Sequence, residues 1–401
     1  MRAGPSQEDI RRHNLGALLR HVHLGGPISR AELTSRMGLN RSTIMALTSD
    51  LTAAGLVREE LPRETGRAGR PSLVVRPESS RVYVFAFDVG PDRLAVARVG
   101  LGGVILDRRE MARQRGPFQL GELAGALAGF ARQMRRKTRD DTVCVGAAAA
   151  VSGGVRKGDG VIRFGPNLLT EDEPFGEELG RRLGLGLPVS VGNDANLAAL
   201  AEHSRGVGAG VKDLIYLHGD VGIGGGIIAG GHLLGGHDGY GGEVGHMVVN
   251  PGGRACGCGS HGCLEAEVGE RALLEAAGGF RADQHGRDAV RAVVEAADRG
   301  DIVAQKALKR VGDWLGLGVA NLVNIFNPEM VIFGGILRDI YLGSAAQVRS
   351  RLTMHAMAPQ REKLRLRTSA LADDATLVGA AELAFAHVLA DPLEVLARAG
   401  T

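Results

Sequence analysis

Between Gln7 and Leu24 the apolar positions are Ile10, Leu15, Leu18, Leu19 and Val22, the three-and-four spacing of a helix with one buried stripe; Gly25-Gly26-Pro27 stops the pattern. A second helix opens at Ser29-Arg-Ala-Glu32, which has the form of a capping box. Ala31, Leu33 and Met37 turn inward, and Gly38 ends the helix. Asn40 caps a third helix with Ile44, Leu47 and Leu51 inward and Gly55 at its end. Asn40, Arg41, Ser42, Thr43 and Thr48 are left as polar positions able to face a groove. Leu56-Val-Arg-Glu59 and Ser72-Leu-Val-Val-Arg76 predict a two-stranded wing whose tip, Arg67-Ala-Gly-Arg70-Pro71, is basic and Gly-rich. The polar segment Leu61 to Pro77 is expected to link this module to the larger C-terminal part of the chain.

After about residue 80 the pattern becomes strand, glycine turn, strand. Val82 to Gly90, Arg93 to Val99 and Gly103 to Asp107 predict a β-meander, while Val143–Val151, Pro188–Val191 and Leu214–His218 read as buried strands. Helical segments Leu120–Met134 and Ala195–Glu202 alternate with them, so the class is α/β. The glycine turn at Asp88-Val-Gly90 has a partner at Asp220-Val-Gly-Ile-Gly-Gly-Gly226, which predicts two similar lobes around a cleft.

The chain has 401 residues, 44% hydrophobic and 23% charged, enough for two or three globular domains. No apolar stretch approaches the ~20 residues that span a bilayer, and Glu8, Asp9, Arg11 and Arg12 interrupt any signal-peptide core. The expectation is a cytoplasmic protein with no membrane partner. Net charge is only +3, yet residues 1–80 hold 12 arginines against 8 acidic residues. Combined with three helices and a basic wing, that excess points to double-stranded DNA. Asn40, Arg41, Ser42 and Thr43 would enter the major groove, and Arg67 and Arg70 would meet phosphates or the minor groove. A small three-helix module can also serve protein contacts, and loop arginines are commonly just solvated.

Three of the four cysteines lie in Cys256-Gly-Cys258-Gly-Ser-His-Gly-Cys263, with His246 ten positions ahead of the first. Thiolates and an imidazole are the ligands zinc prefers in a tetrahedron, and Gly257, Gly259 and Gly262 allow the chain to turn between them. A disulfide is disfavoured, because Cys256 and Cys258 are too close to pair comfortably. His261 is the alternative fourth ligand, although it would be strained inside the Cys258 to Cys263 loop. Four protein ligands leave no open position, so the ion is expected to be structural. Cys144, in an apolar run, is expected in the core.

Glu243-Val-Gly-His246 followed by the cysteine loop and Leu264-Glu265 resembles the signature of the ROK proteins, sugar-responsive repressors and sugar kinases on an actin-like, two-lobed fold. Asn193-Asp194-Ala-Asn196 resembles the family's sugar-binding motif with the catalytic aspartate of the kinases. Phe164-Gly-Pro-Asn167-Leu168 resembles a sugar-contacting turn, and Asn327 to Gly335 the strand and turn that approach adenosine in kinase members. The resemblance implies a fold with a winged helix-turn-helix over residues 1–78 and a first lobe over 79–196, rejoined by 376–401. A second lobe over 197–375 would carry the zinc loop. It also implies a monosaccharide held by Asn167, Asn193, Asp194, Glu243, His246 and Glu265.

Kinase members resemble Asp-x-Gly-Gly-Thr in the first phosphate loop, whereas this chain has Asp88-Val-Gly90-Pro91-Asp92. Proline removes a backbone donor, and aspartate puts negative charge where an anion should sit. In the second loop Asp220-Val221 stands where kinases resemble Gly-Thr. The expectation is therefore a sugar-responsive regulator, a repressor acting as a homodimer or tetramer on operator DNA, with no catalytic residue. The alternative is an ATP-dependent ROK-type sugar kinase with an accessory DNA module, in which Asp194 would be the general base.

Overall fold

The computed structural model describes residues 6–62, 72–117, 119–279 and 285–399. Helix α1 (Gln7–Gly25) is capped by Ser6, whose hydroxyl accepts from the Asp9 N–H while Asp9 reaches back to the Ser6 N–H. Strand β1 (Ile28–Ser29) leads into α2 (Arg30–Met37), and α3 (Arg41–Ala53) follows after a short turn in which Gly38 adopts φ +64°. The wing has three strands and not two, because β1 pairs with β3 (Val74–Pro77), which pairs with β2 (Val57–Glu60). The wing tip with Arg67 and Arg70 lies outside the described residues.

Several expectations for this module need correction. Thr48 is fully buried and its hydroxyl donates to the Met45 carbonyl, so it does not face a groove. Ala31 is exposed, not inward. Only half of the second capping box forms: Ser29 Oγ accepts from the Glu32 N–H, but the Glu32 carboxylate turns to Arg36. Nor does a polar linker run to Pro77, since Val74–Pro77 is β3, and Glu78 to Arg81 pass directly into the next sheet. The module shares one apolar core with that sheet, from Leu18, Leu33, Ile44 and Leu51 through Val84 and Ala148 to Leu377 and Phe385.

The meander is β4 (Val82–Val89), β5 (Arg93–Gly100) and β6 (Val104–Ala112), and after α4 (Leu120–Arg135) the chain adds β7 (Val143–Val151) parallel to β4. A small sheet of β8 (Gly154–Val155), β9 (Ile162–Gly165) and β10 (Thr170–Glu173) precedes α5 (Phe175–Leu183), and β11 (Val189–Asn193) completes the order β11-β7-β4-β5-β6. Helix α6 (Asp194–Arg205) leads into the second lobe. There β12 (Leu214–Gly219), β13 (Ile223–Ala229) and β14 (His232–Leu233) repeat the antiparallel meander. Helices α7 (Leu264–Val268), α8 (Glu270–Ala276), α9 (Arg287–Asp298) and α10 (Ile302–Phe326) follow. Then come β15 (Met330–Gly335), α11 (Ile336–His355), α12 (Ala358–Glu362) and β16 (Arg365–Thr368), giving the order β14-β13-β12-β15-β16. In both lobes three antiparallel strands are extended by two parallel ones, so the expected pair of similar lobes is present. Helix α13 (Ala375–Ala390) returns to pack on β4 and β7, and α14 (Pro392–Ala399) follows it.

Helix α6 is pressed between α13 and β13. A Cβ at Gly379 of α13 would collide with the Leu197 carbonyl, and one at Gly226 of β13 would meet Ala199 Cβ and, at 2.7 Å, the Ala195 carbonyl. These contacts are backbone against backbone, with no side chain able to yield. Gly379→Ala should therefore cost about 1–3 kcal/mol. Gly129→Ala, at a position in α4 with open space around it, should stabilise by about 0.5–1 kcal/mol. Denaturant midpoints for the two variants should move in opposite directions.

Candidate functional site

Where the two lobes face each other, a cavity of about 250 Å³ is lined by Asn167, Asn193, Asp194, Glu243, His246 and Glu265, the six residues singled out in the sequence. Ser152, Arg163, Phe164, His218, Asp220 and Tyr240 also line it. Tyr240 carried no sequence signal, and His218 could be suspected only from its place just ahead of the Asp220 turn.

Asn193 and Asp194 reach the cavity because they end β11 and begin α6. The Asn193 side-chain oxygen caps the helix by accepting from the Asn196 N–H at 3.0 Å, and its amide donates to the Gly153 carbonyl at 3.1 Å. Asp194 Oδ1 accepts from the Ala195 N–H at 2.7 Å. Burial pushes the Asp194 carboxyl up to about 6, with Asp88 and Asp220 adding repulsion and His218 and the Ala195 amide opposing it. Glu265 Oε2 accepts from the Ile223 N–H at 2.9 Å. Burial also raises Glu243, while His246 counters in part. His218 Nδ1 is buried without a hydrogen-bond partner.

Glu243 precedes and His246 ends a 3-10 turn, Val244–His246, seated on β13 at Gly245, where any Cβ would strike the Ile223 carbonyl. His246 Nδ1 lies 3.5 Å from Cys256 Sγ, and Cys258 Sγ lies 3.8 Å from Cys263 Sγ. The four ligand atoms all lie within 4.8 Å of one another, so the cluster can hold a metal ion. His261 is exposed and stands outside this group. The loop closes because Gly262 adopts φ +70° against the Asn250 carbonyl, a place no side chain could occupy. Glu267 Oε1 secures its base by accepting from Asn250 Nδ2 and the Arg254 N–H. With Nδ1 turned to the thiols, His246 Nε2 is on the Glu243 side, 3.9 Å from its carboxylate. Cys144 is held far from the cluster on β7, with burial pushing its thiol to about 11.

Behind Asp194, His218 and Asp220 lies a second cavity of about 420 Å³, where a kinase's nucleotide would be expected. It is rich in carboxylates that already have partners. Arg93 binds Asp88 at 2.8 Å, and Thr376 donates to the same carboxylate at 3.0 Å. Beside it, in a neighbouring cavity that also carries Asn167 and Glu265, Arg115 binds Asp92 through two nitrogens and reaches across to Glu270 of the other lobe at 2.8 Å. Arg287 is shared by Asp339 and Asp373. Asp92 was expected as free negative charge in a phosphate loop; it is instead half of an ion pair. Burial raises the pKa of Asp220. The glycines retained after Asp220 also have a packing reason. A Cβ at Gly224 would come within 2.8 Å of Ala195 Cβ on α6, and one at Gly225 would strike Val244. Their presence alone does not mark a phosphate loop.

In the N-terminal module Arg41 and Ser42 are exposed at the start of α3 and Thr43 is half-buried. The Asn40 side-chain oxygen is committed to capping, accepting from the Thr43 N–H at 2.8 Å and the Ser42 hydroxyl at 2.7 Å.

A duplicated α/β lobe with a ligand-sized cavity between the copies defines the actin-like class that includes sugar kinases. The chain belongs to the ROK family, which residues 84–387 match. It is 30% identical to the putative xylose repressor of Caldicellulosiruptor sp. (strain Rt8B.4) over 378 residues, 91% of this chain and 93% of that protein. The crystal structure of a ROK family transcriptional regulator, a homolog of the E. coli MLC protein, superposes with TM-score 0.78 at 25% identity, covering 97% of this chain and 100% of that one. A ROK family glucokinase from Streptomyces griseus, solved with glucose and AMPPNP, superposes with TM-score 0.64 at 30% identity, covering 75% of this chain and 99% of the kinase.

The raised Asp194 carboxyl gives a pH signature. A ligand hydroxyl donating to the ionised carboxylate would favour that form, so affinity would be full well above pH 6 and lost as pH falls through it. One pH unit below, affinity should drop about tenfold. Calorimetric titration with D-glucose or D-xylose between pH 5 and 8 checks this, and Asp194→Asn should flatten the profile.

Proposed function

We propose that this protein is a sugar-responsive transcriptional regulator, a repressor of carbohydrate-metabolism genes. It binds double-stranded operator DNA as a homodimer or tetramer and is released or reoriented by a monosaccharide between the lobes. One contrast carries the reading. On one side of Asp194 and His218, six polar side chains converge on a cavity of sugar size; on the other, the nucleotide's place is lined by Asp88 paired with Arg93, Asp373 paired with Arg287, and Asp220. A pyranose is covered with hydroxyls that both donate and accept, so carboxylates, amides and an imidazole suit it. A triphosphate would have to displace the ion pairs and lie beside Asp220.

Supporting the DNA reading, α2 and α3 are joined by a tight turn and α3 presents exposed Arg41 and Ser42 at its N-terminal end, with a β-wing beside it. The regulator structure matches nearly the whole chain, whereas the glucokinase matches only three quarters of it. The domains are then a winged helix-turn-helix module over 1–78, a first lobe over 79–196 with 376–401, and a second lobe over 197–375. Arg67 and Arg70 would be phosphate or minor-groove contacts of the wing. To abolish nearly all occupancy, the sugar must prefer the DNA-incompetent state by about 10⁴-fold.

Zinc is the ion proposed for His246, Cys256, Cys258 and Cys263. A zinc tetrahedron with Zn–S about 2.3 Å and Zn–N about 2.0 Å has edges of about 3.8 Å between sulfurs and about 3.5 Å from sulfur to nitrogen. The separations of 3.8 and 3.5 Å fit those edges. Bound there, the ion would hold the His246 ring through Nδ1 and leave Nε2 for the ligand.

A kinase reading is favoured by one observation, an Asp194 carboxyl near neutrality, as a general base requires. Incubation with D-xylose or D-glucose and ATP decides between them: no turnover is expected, and ADP release that disappears in Asp194→Asn would replace the regulator by a kinase. Glu243→Gln should abolish the effect of sugar on DNA binding while leaving DNA affinity intact. Arg41→Ala should weaken DNA binding about tenfold or more and leave sugar binding intact. Elemental analysis should find one zinc per chain, lost in Cys258→Ser together with the sugar response.

A further inference from the structure

Helix α6 touches both the cavity and the N-terminal module. Its N-cap Asn193 and first residue Asp194 line the cavity. At about 1.5 Å per residue its last residue, Arg205, lies about 17 Å away along the axis. Between these ends the helix is clamped by Gly379 on one side and Gly226 on the other, so it has no slack in which to bend. Tightly packed elements of this kind shift as units.

Arg205 uses its whole guanidinium at the far end. Nε donates to Glu382 of α13 at 2.6 Å, while Nη1 donates to the His23 carbonyl at 3.1 Å and to the Gly102 carbonyl at 2.9 Å. His23, in the last turn of α1, is fully buried. Its Nδ1 accepts from the Gly102 N–H at 2.9 Å, while Nε2 lies between Glu382 at 3.1 Å and Arg205 Nη2 at 2.7 Å. Burial keeps His23 from protonating, against the pull of Glu382. Glu382 stays ionised: burial opposes it, but the hydrogen bond from His23 and the charge of Arg205 prevail. One guanidinium thus holds the last carbonyls of α1, the β5–β6 turn and α13 in a single knot. Leu18, Leu19 and Val22 of α1 share a core with Ile44, Leu47 and Leu51 of α3, the helix that presents Arg41.

We infer that α6 is the rigid connector through which occupancy of the cavity moves the N-terminal module, and that Arg205, tied to Glu382 and His23, is the joint. Arg205 touches neither the cavity nor the exposed start of α3; it is a positioning residue. The inference rests on the reading of the cavity as a sugar site.

Hydrogen–deuterium exchange on the full chain, with and without D-xylose and separately D-glucose, tests it. In the wild type, a sugar that protects the segments around Asn193 and Glu243 should also change exchange in α1, the β5–β6 turn and α3. In Arg205→Gln the protection at the cavity should persist, while the change in α1 and α3 falls about tenfold, within the usual range of coupling between sites. Because Arg205→Gln leaves Glu382 buried beside a neutral partner, the double variant Arg205→Gln/Glu382→Gln, which removes both charges, is measured alongside. It should be equally uncoupled. A purely structural role would lower the melting temperature but leave the sugar-dependent change in α1 and α3 in place, and that result overturns the inference. So does a wild-type protein whose cavity is protected while α1 and α3 do not respond. If neither sugar protects the wild-type cavity, the sugar reading fails first, and is distinguished by that silence at Asn193 and Glu243.

Discussion

The approach of α6 to its two neighbours, backbone against backbone, is the constraint on which the site depends. Gly226 and Gly379 let the helix sink between β13 and α13, and Gly224 lets its first turn come up against the second meander. Only at that depth do Asn193 and Asp194 stand opposite Glu243, His246 and Glu265, which arrive from the other lobe. The same depth desolvates Asp194 and sets its proton affinity. Packing, geometry and acidity at the cavity share this one cause.

The two halves of the cleft also differ in how their charges are paired. Asp194, His218 and Asp220 border both cavities. On the side of Asn167 and Glu243, polar groups point into open space. On the other side Arg93 and Arg287 have found carboxylates, while Arg115, in a cavity shared with Asn167 and Glu265, joins the two lobes through Asp92 and Glu270. The cysteine loop borders the half that carries Asn167 and Glu243: its tight turn at Gly262 and the cluster at His246, which can hold a metal ion, lie beside the wall that carries Glu243.

Much of this was legible in the chain. The cysteine spacing with His246 named the cluster that can hold a metal ion, and the two glycine turns named the duplicated lobes, because both depend on residues close in sequence. The six cavity residues came through the resemblance to ROK proteins, and they do line one space. Other features were not legible, for physical reasons. Thr48 lies on the stripe of Ile44, Leu47 and Leu51, but its polarity argued for the surface; a hydroxyl that bonds to its own helix at Met45 can be buried at no loss. The third wing strand is two residues long and gave no periodicity. The knot of His23, Arg205 and Glu382 joins positions far apart in the chain, and no local pattern announces it. The glycines after Asp220 were visible, but their packing role against α6 was not.

The unbroken core between the N-terminal module and the first lobe limits what evolution or an engineer can do with this chain. A cut near Glu78 would strip cover from Leu18, Leu19 and Val22 on one fragment and from Leu377 and Phe385 on the other. The N-terminal module is therefore no interchangeable cassette: a chimera that borrowed it would have to bring the matching face of α13 as well.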